Sequence, residues 1–181
     1  MKVFLFSGVH GVGKGFFLKK IKNNVQQYSI YSASSLIERY QPSTDAGYKK
    51  VSNVNNNQDV LIKAIKEEIN CSISNFIIDG HLCIFNAKGE VVRVPEYFFI
   101  ETQINGIIIL QDNPEMICNR ISQRDTKVIS VNDIKKMQEE EKKYANELYN
   151  KFKINNFVIS HKCTGEQFNE ILRRLGGDDN E

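Results

Sequence analysis

No C-x-x-C pair occurs anywhere in the 181 residues, and the four cysteines, at 71, 83, 118 and 163, stand far apart. That spacing argues against a zinc site. It leaves reduced thiols acting as small apolar side chains, as suits a reducing cytoplasm. No stretch reaches membrane-spanning length either; the longest apolar run, Gly106 to Leu110, suits one buried strand. Lys2 followed by Val3 to Phe6 is too short for a signal peptide and runs straight into glycines. A strong charge imbalance is also missing: 24 Lys and Arg against 22 Asp and Glu give a net charge of +2. Neither nucleic acid nor a membrane surface is therefore expected as a partner. There is no internal repeat and no linker long enough to divide the chain. A single domain over 1–175 is expected, with 176–181 a frayed tail.

What is present is organised around Gly8-Val9-His10-Gly11-Val12-Gly13-Lys14-Gly15. The apolar run Val3 to Phe6 precedes it and an amphipathic segment from Phe16 to Val25 follows. Strand, glycine-rich turn and helix in that order, with G-x-x-x-x-G-K spacing, fit a P-loop. Glycines let the backbone turn sharply and approach an anion. Successive N–H groups then point inward, and the helix start adds its positive end. Lys14 supplies charge for terminal phosphate oxygens. The motif ordinarily has Ser or Thr after the lysine as a Mg²⁺ ligand; here Gly15 and then Phe16 stand there.

Further short strands are expected at 28–32, 75–79, 106–110 and 156–160, with apolar runs of the parallel-sheet type among them. Between them lie helical segments: one with Leu36, Ile37 and Tyr40, one from Gln58 to Asn70, one opened by Asn113-Pro114-Glu115, a long charged one over Ser130–Phe152, and one over Gly165–Leu175. His81 to Val94 reads as a β-hairpin around Asn86 to Gly89. Gln41 to Asn56, with Lys49 and Lys50, reads as a mobile loop. Alternating strands and helices imply an α/β sandwich on a parallel sheet, whose ligands bind at the carboxyl ends of the strands. That rim collects the glycine loop, Ser32, Asp79 and the segment after Leu110.

Several residues there suit phosphoryl transfer, which needs aligned reactants, a metal and positive charge. Asp79 ends the third strand and is placed to hold Mg²⁺, through water since position 15 has no hydroxyl; the plain alternative is a turn aspartate before Gly80. Arg120 and Arg124 lie four apart, on one helix face. They suit bidentate contacts to phosphates, or simply a solvated helix end. Gln58, at a helix start, either reads a nucleobase edge or caps the helix. His81, two residues past Asp79, either contacts an anion or makes a structural hydrogen bond. His10 points out of the loop toward acceptor or base. Lys142 falls in Gln138 to Lys143, a run that reads as a mostly solvated charged face.

Together these residues resemble the nucleoside monophosphate kinases, adenylate kinase above all. That family's loop runs G-x-P-G-x-G-K-G-T, and Gly11-Val12-Gly13-Lys14-Gly15 matches it, glycine after lysine included. His10 replaces its proline and Phe16 its final threonine. Asp79-Gly80-His81, Lys88-Gly89 and Val94-Pro95 are most similar to the short archaeal-type adenylate kinases. The family's lid arginines correspond to Arg120 and Arg124, with a minimal lid at about 123–130. A further family arginine corresponds to Lys142. The acceptor motif corresponds to Ala33 through Arg39, where Glu38 takes the arginine position and Arg39 lies one step off. The acceptor-binding segment is about 32–70, with Ser32, Arg39, Gln58, His81 and Lys142 as candidate contacts.

The resemblance implies a three-layer P-loop NTPase fold with a five-stranded parallel sheet in the order 2-3-1-4-5. It implies ATP and Mg²⁺ as cofactors, with Gly8, His10, Gly11, Val12, Gly13, Lys14, Gly15 and Phe16 around the nucleotide. Lys14, Arg120, Arg124 and Asp79 are the candidate catalytic residues. The expected activity is transfer of the ATP γ-phosphoryl to a nucleoside monophosphate or a similar small acceptor. An ATP-binding regulatory or partner subunit with little turnover is the other reading, with a protein partner or a second copy of the chain.

Overall fold

A computed structural model describes residues 1–40, 54–71, 74–86, 89–124 and 129–177, with side chains from position 57 onward in the second of these segments. The elements run β1 (Val3–Ser7), α1 (Lys14–Ile21), a 3-10 turn (Lys22–Asn24), β2 (Tyr28–Ser32), α2 (Ala33–Tyr40) and α3 (Val54–Asn70). Then come β3 (Asn75–Asp79), β4 (Cys83–Phe85), β5 (Val91–Arg93), α4 (Glu96–Glu101) and β6 (Ile104–Leu110). The chain finishes with α5 (Pro114–Arg124), α6 (Val131–Phe152), β7 (Asn155–Ile159) and α7 (Gly165–Gly176).

Five strands form a sheet in the order β2-β3-β1-β6-β7, and every pairing in it is parallel. The hairpin strands β4 and β5 pair with each other in a separate antiparallel ribbon. They take the labels 4 and 5, so the fourth and fifth strands of the main sheet are β6 and β7. Counted along the main sheet alone, the expected 2-3-1-4-5 order is the observed one.

All five residues of β1 are buried. A central strand covered by helices on both faces requires this, and it explains the unbroken apolar run. The β1–β6 register skips Asn105 between Ile104 and Gly106. The Asn105 side-chain carbonyl accepts the Val3 N–H at 2.7 Å and so replaces the interrupted ladder bond. At Gly106 an added Cβ would lie 2.8 Å from Leu175 Cβ, so α7 packs directly on the β6 backbone.

Capping residues set several helix starts. Asn113 Oδ1 accepts the Glu115 N–H at 2.8 Å at the head of α5. Ser130 Oγ accepts the Asp133 N–H at α6, and Thr164 with Gln167 forms a reciprocal capping box at α7. Arg93 fastens the hairpin to α6: its Nε donates to Glu140 at 2.7 Å, and its Nη1 and Nη2 reach Glu147. The same guanidinium lies 4.7 Å from the Tyr144 ring centre.

Several boundaries differ from the sequence expectation: β6 begins at Ile104 rather than Gly106 and β7 runs Asn155–Ile159 rather than 156–160. The first helix begins at Lys14 rather than Phe16, and α3 begins at Val54 rather than Gln58. Most of the loop expected over 41–56, including Lys49 and Lys50, lies outside the described residues. So do 125–128 of the expected lid, 87–88 of the hairpin turn including Lys88, and 178–181 of the tail. Among the described residues, no helix is long and apolar enough to cross a membrane.

Candidate functional site

After Ser7 the chain leaves the sheet, passes through Gly8–Gly13 and enters α1 at Lys14. Gly11 (φ +80°) and Gly13 (φ +98°) occupy the left-handed region, where a side chain is strained. At Gly11 a Cβ would also lie 2.5 Å from Ile121 Cγ1. Gly13 is the N-cap of α1 and makes no side-chain cap bond. No side chain caps the first N–H groups of the helix, which leaves them for a ligand to satisfy. Val9 and Val12 are buried and hold the loop to the core, whereas His10 is exposed. Nothing lies within 4 Å of a Cβ built on Gly15, so crowding does not explain the missing hydroxyl. Phe16 is 72% exposed.

Lys14 is buried, and its Nζ donates to the Gly8 carbonyl at 2.9 Å. It lies 3.7 Å from Asp79 Oδ1. The parallel register pairs Phe6 with Asp79, which sets that carboxylate at the end of β3 beside the loop. Burial lowers the Lys14 pKa against the opposing pull of Asp79 and Glu141. Burial likewise raises Asp79 against the pull of Lys14. His81 Nδ1 lies 2.7 Å from the Gly8 carbonyl. Burial and the Lys14 cation push His81 down to about 3. The ring is thus neutral, and its Nδ1–H is assigned as the donor because a carbonyl only accepts.

On the other flank, Arg120 Nη1 donates to the Val12 carbonyl at 3.1 Å and Nη2 to Asp112 Oδ2 at 2.6 Å. His161, just past β7, places Nε2 2.7 Å from the same Val12 carbonyl. Burial opposes ionisation of Asp112, but Arg120, the Asn113 N–H and His161 hold its carboxyl below the ordinary carboxylate value. Gln138 on α6 exchanges two bonds with the Asp112 backbone, Oε1 from N–H and Nε2 to carbonyl, both at 3.1 Å.

The other expected residues are more dispersed. Ser32 pairs in register with Asp79, and its hydroxyl is 2.9 Å from that of Ser34. Arg39 forms an ion pair with Glu68 of α3. Gln58 lies inside α3 and does not cap it. The side chain is 8% exposed, and its Oε1 has no hydrogen-bond partner among the described residues. Arg124 is exposed at the last residue of α5, and Lys142 is half-buried on α6.

One expectation is corrected. The run Gln138 to Lys143 is not simply a solvated face, because Gln138 is 7% and Glu141 0% exposed. Glu141 Oε1 accepts from the Ser7 hydroxyl at 2.7 Å and from the Leu82 N–H at 3.3 Å. Burial raises its carboxyl to about 7, against Ser7, Lys14 and the Leu82 and Cys83 N–H groups. The sequence did carry a signal: Ile134, Met137, Glu141, Tyr144 and Leu148 form one stripe at alternating three- and four-residue spacing. The single acid on that apolar stripe had to be buried. Ser7, Asp112 and His161 carried no comparable mark.

Among the described residues, no group of three or more His, Cys, Asp or Glu is arranged to hold a metal. A divalent cation at this site would have Asp79 as its protein carboxylate.

A family model described as the AAA domain matches residues 7–138, a span that runs from the glycine loop through Asp79 and Arg120 into α6. No curated protein matches the sequence. Among solved structures, the tunicamycin resistance protein of Deinococcus radiodurans is similar at 11% identity, with a TM-score of 0.59. That similarity covers 97% of this chain and 95% of the other. A gluconokinase from Sinorhizobium meliloti 1021 is similar at 11% identity and a TM-score of 0.53, over 98% and 94% of the two chains. At such identities the likeness is one of fold.

Proposed function

The chain belongs to the AAA domain family, and from that premise we propose that it is an ATP-dependent phosphotransferase of the P-loop kinase type. One observation carries the reading above the others. A glycine loop that leads into an uncapped helix start ends in a buried lysine whose Nζ lies 3.7 Å from a carboxylate on the neighbouring strand. That is the arrangement needed to bind a triphosphate and neutralise it. The open surroundings of Gly15 and the partly exposed Asp79 fit a cation held through water. Mg²⁺ there would neutralise phosphate charge.

In this reading the loop N–H groups and Lys14 hold the β- and γ-phosphates. Arg120, anchored by Val12 and Asp112, keeps further N–H donors for the transferring group. Arg124 joins it at the end of the same helix. The acceptor is a nucleoside monophosphate or a similar small phosphate, bound between segment 32–70 and the short lid, with Ser32, Arg39, Gln58, His81 and Lys142 as contacts. A phosphate acceptor is already anionic, so no general base is required. The gluconokinase likeness keeps a hydroxyl acceptor in view, for which Asp79 would be the base. These assignments, the single domain over 1–175 and a cytoplasmic location, form one proposal.

Steady-state ADP formation from ATP across nucleoside monophosphates and small hydroxyl acceptors tests it, with Lys14→Ala as control. The control should lose about 10²-fold or more, as removal of one preorganised donor does. If no acceptor gives ADP above the control, the kinase reading fails. Tight ATP binding with that result favours the second reading, a nucleotide-binding regulatory subunit. The specific observation behind it is Phe16, 72% exposed where a hydroxyl would face the donor phosphates.

A further inference from the structure

Glu141 is completely buried, lies on α6, and is absent from the phosphate chemistry just described. Two strand ends meet at its carboxylate. Ser7 closes β1 immediately before the glycine loop, and Leu82 follows the Asp79-Gly80-His81 turn. The Leu82 N–H donates to Ser7 Oγ at 2.8 Å, and the Ser7 hydroxyl donates to Glu141 Oε1 at 2.7 Å. Glu141 Oε1 also receives the Leu82 N–H at 3.3 Å. One residue after Ser7 and one before Leu82, His81 Nδ1 bonds the Gly8 carbonyl, which Lys14 Nζ also contacts. The gap between the loop and the Asp79 turn is therefore bridged twice, and Glu141 ties the inner bridge to α6. Its second oxygen, Oε2, has no hydrogen-bond partner among the described residues. A buried carboxylate with a free oxygen is costly. A Leu or Met would fill this stripe position of α6 at lower cost.

We propose that Glu141 is a positioning residue for the phosphate site: through Ser7 and Leu82 it fixes the spacing between Gly8 and His81, and hence where Lys14 Nζ rests relative to Asp79. The role lies in hydrogen-bond acceptance at Oε1. It rests on the phosphate-binding reading of the loop.

The test compares Glu141→Gln, Glu141→Ala and Ser7→Ala in the full chain. It uses ATP affinity by calorimetry, amide exchange at Leu82 by NMR, and the melting temperature. Gln keeps an acceptor at Oε1, so ATP affinity should stay within about threefold of wild type and Leu82 should stay protected. Ala at 141 should speed Leu82 exchange and weaken ATP by about tenfold or more, the factor that matches one lost buried hydrogen bond. Ser7→Ala removes the hydroxyl that links Leu82 to Glu141 at almost constant volume, leaving only the longer 3.3 Å Leu82–Glu141 contact, and should follow Glu141→Ala in direction even if the latter folds poorly. A merely structural glutamate would lower the melting temperature in all variants without separating Gln from Ala in ATP affinity, and that pattern overturns the proposal. Unchanged Leu82 exchange in Ser7→Ala also overturns it. Failure of wild type to bind ATP, with Leu82 responding as expected, would instead strike the phosphate-binding reading itself.

Discussion

Lys14 and His81 converge on one oxygen: the Gly8 carbonyl receives Lys14 Nζ at 2.9 Å and His81 Nδ1 at 2.7 Å. The two side chains also lie 3.4 Å apart at their closest nitrogens. A protonated imidazole beside an ammonium would be repelled, so the pair requires a neutral histidine. His81 thereby links the fold to pH as well as to the site.

The linkage has a definite sign. The native His81 value, about 3, lies below the ordinary 6.5, so between those values the unfolded chain binds the extra proton. His81 thus contributes stability above pH 6.5 that is lost as pH falls toward 3, on the order of a few kcal/mol at full extent. Glu141, raised to about 7, acts with the opposite sign over this range, so the check is a difference: chemical denaturation from pH 7 to 5 should show His81→Gln gaining stability relative to wild type as pH falls. A constant difference would assign the acid sensitivity elsewhere.

Gly11 and Gly15 should respond oppositely to the same change. Gly11→Ala meets a positive φ and an Ile121 contact at 2.5 Å, so a loss of about 1–3 kcal/mol is expected. Gly15→Ala enters open space inside a helix and should be neutral or gain up to about 1 kcal/mol. Paired thermal melts decide the matter.

Phe16→Thr restores a hydroxyl beside the donor phosphates while removing a side chain that is 72% exposed. Stability should stay within about 0.5 kcal/mol. Turnover should rise with little change in ATP affinity. A variant that remains at the Lys14→Ala background shows that the hydroxyl is not what limits the reaction.

Arg120→Lys keeps the charge but cannot span Val12 and Asp112 together. ATP affinity should drop by about tenfold or more, as for loss of a charge-assisted hydrogen bond. Titration calorimetry at constant ionic strength is the check. Equal affinities would reduce Arg120 to a surface cation.

The glycine loop, the order of strands and helices and the place of Asp79 were legible because each is a local pattern. Val3 to Phe6 is apolar because β1 is covered on both faces, and Gly8 to Lys14 follows at fixed spacing. The stripe on α6 marks Glu141 for burial, but the partners of a buried polar residue are not local. Glu141 sits among charged neighbours, and only the approach of Ser7 and Leu82, 134 and 59 positions away, gives it partners. His161 is a single histidine after a strand; Val12, 149 positions earlier, supplies its meaning. Gln58 looked like a helix start because the polar residues before it resemble loop, yet α3 begins at Val54. Propensity at a polar helix start is weak, and tertiary packing overrides it.

The Val12 carbonyl has a consequence for timing. It is held by Arg120 from the helix after β6 and by His161 from beyond β7. The crown of the loop is therefore braced from two strand ends before any phosphate arrives. Its ordering entropy is lost when the chain folds, not when the ligand docks. Capture should accordingly proceed as a single fast bimolecular phase, without a slow rearrangement of the loop behind it.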